Sequence, residues 1–130
     1  MADMSDFLEV TLLNLSLNGT AWAGMNNPYI SLHTADPTDA GTGTEVTGGS
    51  YARVASSFGV ASGTSGALAS NADATFPTAT ASWGTVGWIG IWDAVSGGNM
   101  LYHSALDASK TIDSGDIFKI VTGNLTVTLA

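Results

Sequence analysis

No cysteine occurs in the 130 residues, which excludes a disulfide framework, a thiolate metal site and a cysteine nucleophile and leaves stability to packing or to partners. Charge is scarce too. Only 11% of residues are charged, against about a quarter in an average soluble protein, and the cations Arg53, Lys110 and Lys119 face eleven carboxylates. Phosphate backbones are gripped by clustered lysine and arginine, so nucleic acid is not expected as a partner. Anionic lipid is disfavoured for the same reason, and no apolar run approaches the ~20 residues that span a bilayer. The opening Met1-Ala2-Asp3-Met4-Ser5-Asp6 is acidic where a secretory leader is basic, so export by that route is not predicted.

What is present is small and apolar. Gly, Ser, Thr and Ala take the place of the missing charges, while four Trp, four Phe and regular β-branched runs supply the apolar area that a disordered chain lacks. A chain of this length buries roughly two-thirds of its unfolded surface in one core. No linker, charge block or repeat divides it, so one domain over 1–130 is expected.

The N-terminal stretch is dense in leucine. Phe7, Val10, Leu13 and Leu17 are spaced three and four apart as one helical stripe. The spacing predicts a helix over about 5–18, with Ser5 as N-cap, Asp6 and Glu9 at the positive end of the dipole and Asn18-Gly19 as the stop. Its apolar surface is wide, so it must be covered on more than one side, by its own sheet or by a neighbouring subunit.

From about residue 20 to 130 the texture is of short β-like runs between Gly, Asn, Asp and Pro, the pattern of an antiparallel β-sandwich or barrel. Strands are read over 29–34, 51–58, 67–76, 83–92, 100–106, 117–121 and 125–129, with loops over 40–50 and 59–66. The strongest is 83–92. There Val86, Trp88 and Trp92 alternate with Thr85, Ile89 and Ile91, so both faces are apolar and the strand is central. Leu125, Val127 and Leu129 are expected to face inward. The fold class is therefore mostly β, a small antiparallel sandwich or barrel with one N-terminal α-helix.

Catalytic chemistry is hard to find. Only His33 and His103 could serve a triad, no Gly-x-Ser-x-Gly elbow occurs, and no short His spacing suggests a metal. The acidic runs 36–39 and 113–116 match no EF-hand and are read as Asp-initiated turns. Gly41-Thr42-Gly43-Thr44-Glu45-Val46 starts like a dinucleotide loop but lacks the third glycine and the strand-to-helix setting. Trp83, Trp88 and Trp92 could stack on sugar, although alternating Trp and Ile on a central strand reads as core. The expectation is no catalytic residue, no metal and no cofactor.

The order of several short stretches is more telling than any one of them. Ile30-Ser31-Leu32-His33-Thr34-Ala35-Asp36-Pro37-Thr38-Asp39-Ala40-Gly41, then Gly48-Gly49-Ser50-Tyr51-Ala52-Arg53, Phe76-Pro77, Ala81-Ser82-Trp83-Gly84-Thr85-Val86, Gly90-Ile91-Trp92-Asp93-Ala94, Gly97-Gly98-Asn99-Met100-Leu101 and Ser109-Lys110-Thr111 through Gly115-Asp116 together resemble small virion proteins of tailed bacteriophages of the tail-fibre-like family. The resemblance spans nearly the whole chain. It implies a phage structural role, a helix followed by a small β domain, synthesis in the host bacterial cytoplasm, and no catalytic residue.

Two placements in the virion follow. Without a heptad, collagen-like or β-helix repeat there is no shaft, so a capsid decoration or cement protein bound to the major capsid protein is the leading expectation. The alternative is a short tail fibre or tail-tip adaptor bound to tail components, and a third reading is a carbohydrate-binding module. Copies are expected to associate as a trimer or dimer through apolar and backbone β contacts. The candidate contacts are Phe7, Leu8, Leu12 and Leu15 on the helix, Pro37, Thr38 and Glu45 in the following loop, Tyr51 beyond it, and Leu129 in the last strand.

Overall fold

The computed structural model describes residues 3–20, 28–61 and 66–129; the middle of the loop read over 59–66 lies outside them. After the short strand β1 (Asp3–Met4) the chain enters helix α1 (Asp6–Leu17). Ser5 starts the helix from an extended conformation, its Oγ accepting the Leu8 N–H at 3.2 Å, and Asn18 closes it. Ser5 also donates its N–H to Leu101 O at 2.8 Å and its hydroxyl to Met100 O. These bonds fix which way the helix faces. Leu8, 2% exposed, and the half-buried Leu12 turn inward, whereas Phe7, Val10, Leu13 and Leu17 are exposed. The row Phe7, Val10, Leu13 and Leu17 is thus the outer one, because the Ser5 cap sets the roll of a helix whose apolar surface is wide.

The other strands are β2 (Tyr29–His33), β3 (Val54–Ala55), β4 (Ala67–Ala69), β5 (Ala74–Thr75), β6 (Gly84–Trp92), β7 (Met100–Ile112), β8 (Lys119–Ile120) and β9 (Thr126–Thr128). A five-stranded sheet runs β1-β7-β6-β2-β3, and two ribbons pair β4 with β9 and β5 with β8. Every pairing is antiparallel. The sheet and the ribbons enclose the core, to which Ile30, Leu32, Ile89 and Ile91 contribute from the sheet and Phe76, Phe118, Ile120 and Leu125 from the other side. Tyr51 joins them, stacked on Phe76 at 6.3 Å and edge-on to Trp83 at 5.4 Å. This is the predicted mostly-β sandwich, left open and not closed into a barrel.

Several runs read as long strands are shorter. Within 51–58 only Val54–Ala55 pair in a strand, and 67–76 divides into β4 and β5, because Gly, Ala and Ser offer little side chain to hold a ladder. β7 runs six residues past its expected end. Its register against β6 slips between Val86 and Trp88, so that four residues, 106–109, oppose Gly87. Across that slip Val86 joins Ile89 and Ile91 in the core instead of sharing a face with Trp88. Leu129 is exposed, while Leu125 is buried as expected.

Candidate functional site

Register places two rows of residues on opposite faces of the large sheet. Ile30 pairs with Ile91 and Leu32 with Ile89, giving the core face. Ser31 pairs with Gly90, which pairs in turn with His103, and His33 pairs with Trp88. The two histidines therefore share one face, with β6 between their strands. Gly90 permits this crowding, since a Cβ there would lie 2.7 Å from Ser31 Oγ and 2.8 Å from Trp92 Nε1.

Polar groups fill this second face. Trp92 Nε1–H donates to Ser31 Oγ at 2.7 Å, and Ser31 Oγ lies 2.6 Å from His33 Nε2. His103 Nε2 meets Asp39 Oδ1 at 2.8 Å, and its Nδ1 is 3.5 Å from Asp36. A serine hydroxyl against an imidazole is the geometry of a nucleophile and its base. Here, however, both residues are wholly buried and His33 Nδ1 has no hydrogen-bond partner among the described residues, so no carboxylate orients the ring. Burial lowers the His33 pKa, with opposing pulls from Glu45 and the Gly43 backbone and further lowering from Arg53 and His103. Among the described residues no three His, Asp or Glu side chains gather as a metal site. The acidic runs do build turns, Asp36 accepting the Thr38 N–H and Asp116 the Asp113 N–H.

Beside the histidines, Arg53 is clamped. Its Nε and Nη2 donate to the two oxygens of Glu45, both at 2.8 Å; Nη1 donates to Ala94 O and Gly97 O; and the guanidinium lies 3.8 Å from the Trp92 ring centre. Tyr51 adds a hydroxyl bond to Glu45 at 2.7 Å. Burial pushes the Glu45 carboxyl up, but Arg53 and Tyr51 outweigh it and hold it below its ordinary value. Burial and the Glu45 carboxylate together push the Tyr51 phenol upward. Sequence reasoning missed this network. Its one signal was a lone arginine in a chain nearly without cations.

The expected contact residues divide. Leu8 and Pro37 are buried within the chain, Leu12 and Tyr51 are half-buried, and Glu45 is engaged by Arg53. Their side chains are used internally, which leaves Phe7, Leu15, Thr38 and Leu129 on the surface. Helix α1 adds Val10, Leu13 and Leu17, the last 80% exposed. Trp83 and Trp92 are buried and Trp88 is half-buried, so the three rings form no open platform for sugar. Lys110 and Lys119 line an open cleft of about 660 Å³ with Asp107, and Lys119 lies 3.8 Å from Asp73.

A buried polar network engaged mostly inward, beside a helix with a row of exposed apolar side chains, has the profile of a structural part, and comparison with known families agrees. The family model described as Podophage GP4 fiber I protein gp80 matches residues 3–128. The chain belongs to this family. It is a phage tail-fibre-like structural protein, a virion component in contact with other virion components. The comparison with curated proteins gives no match.

Proposed function

We propose that the chain is a subunit of a short fibre or tail-tip adaptor and that it attaches to neighbouring virion proteins through the outer face of α1. The observation carrying this reading is the row Val10, Leu13 and Leu17, exposed on the side of the helix away from Leu8. Burying such leucines stabilises by about 1.5–3 kcal/mol each, and an exposed contiguous apolar face marks an interaction surface. The fibre family supports the tail over the capsid, and the role is structural, without turnover, in a protein made in the host cytoplasm. Copies associate by apolar contacts, as a trimer or dimer.

Quantitative mass spectrometry and reconstruction of virions test this. The expected result is a small symmetric set of copies at the tail, with adsorption lost and capsid strength kept when the protein is absent. Many copies spread over the head, with fragile capsids in their absence, would overturn the tail placement in favour of capsid decoration.

A further inference from the structure

We infer that the loop from His33 to Glu45, together with the first turn of α1, is a cap that opens on acidification, with the His33 imidazole as its trigger. The base of the loop is closed by backbone bonds around His33: Thr34 N–H to Thr44 O and Val46 N–H to Leu32 O, both at 3.0 Å. Within the loop Thr42 and Gly43 donate to Pro37 O, and Pro37 is buried. Gly43 packs so closely on Pro37 that a Cβ has no room there. Asp39 then reaches His103 through its side chain and accepts the Asp6 N–H at 3.1 Å through its carbonyl. The loop that covers both histidines is thus bonded to the first turn of α1, which Ser5 and β1 also tie to β7.

The trigger follows from hydrogen-bond bookkeeping at Ser31. Its oxygen accepts the Trp92 N–H at 2.7 Å, and His33 Nε2 lies 2.6 Å from its second lone pair. An imidazolium carries a proton on both ring nitrogens: the one on Nε2 takes that lone pair and turns the Ser31 hydroxyl toward Gly90 O, 3.4 Å away, and the one on Nδ1 has no hydrogen-bond partner among the described residues. The cation would stand at a position 0% exposed, and a buried charge is costly unless paired.

The groups facing it do not outweigh that burial. From the loop's return arm Glu45 and the Gly43 backbone favour the charge, but both Glu45 oxygens are already held by Arg53 and Tyr51. Arg53 and, from β7, His103 are cationic or able to become so, and both disfavour a charge on His33. The loop carboxylates Asp36 and Asp39 face His103, which is also the ladder partner of Asp3 in β1. Protonated His33 is better accommodated by water, and the loop stands between the ring and water. Opening would free the Asp6 N–H from Asp39 while Ser5 and β1 keep the helix on β7, so the device does not depend on the proposed attachment.

The test is made on the full chain in solution. Imidazole NMR signals and amide protection factors are followed between about pH 7.5 and about pH 4.5. The expected result is a fall of at least ~10-fold in protection over 35–45 and the first turn of α1, in step with His33 protonation. Ile89 and Ile91 should stay protected, and in His33→Gln the acid step should be absent. Two results would overturn the inference: His33 protonating while 35–45 keeps its protection, or the Gln variant opening at the same pH as the parent. Should the variant not fold, the wild-type comparison decides alone.

Discussion

The two faces of the large sheet solve burial in different ways. One presents Ile30, Leu32, Ile89 and Ile91 to the ribbons and is closed by apolar contact. The other presents Ser31, His33 and His103 to a loop and a helix start and is closed by directional bonds. Apolar packing is worth more per residue and is non-directional, whereas each buried polar group must find its partner or cost about 1–3 kcal/mol. The first face should therefore dominate stability, and the second should fix where the loop and helix sit and make them responsive to pH.

The largest expected effect lies on the apolar side. Phe76, 2% exposed, packs against Tyr51 and, at 5.6 Å, Phe118. Phe76→Ala should lower the unfolding free energy by about 4 kcal/mol in urea titration. A loss under about 1 kcal/mol would mean that the ribbons do not close the core. Next comes the clamp. Arg53→Lys keeps the charge but cannot fork onto Glu45, reach Ala94 and Gly97 together, or lie flat on Trp92, and should cost about 2 kcal/mol in the same assay. A neutral outcome would reduce Arg53 to a surface ion pair.

These two predictions also mark where the sequence could and could not be read. The position of α1 was legible because its signals are local: a serine cap, acids in the first turn and Asn18-Gly19 at the end. Its buried side was not, because Ser5 is tied to Leu101, far away in sequence. The centrality of β6 was legible in its doubled apolar pattern. The side taken by Val86 was not, since it depends on extra residues in β7. His33 and His103 were visible as strand residues, but their common face is a product of register. The Arg53 clamp joins residues from three separate segments, and nothing in their spacing announces it.

The polar face should show itself through pH. The folded His33 pKa lies below its ordinary 6.5, chiefly through burial, so the unfolded chain binds more protons as pH falls below that value. Stability is then full above about pH 6.5 and declines as pH falls toward the folded value. Glu45, held below its ordinary 4.5 by Arg53 and Tyr51 against the opposing effect of burial, adds loss of the same sign at lower pH. Urea midpoints measured across this range should separate the two, with His33→Gln removing the upper step only. If the variant and the parent keep parallel curves from neutral pH to about pH 5, the polar face is not the pH-sensitive one.

The smallest expected effect on stability concerns neither face of the sheet but the side of α1 turned away from both. Leu13 and Leu17 are 57% and 80% exposed, so little of their surface is removed from water on folding. The double change Leu13→Gln and Leu17→Gln should move the unfolding free energy by no more than about 0.5 kcal/mol. The same change should sharply reduce incorporation into particles, because the apolar area it removes is what an attached neighbour would bury. Normal incorporation with unchanged stability would place the attachment elsewhere on the surface. A large loss of stability would mean that this helix face is already covered within the folded chain.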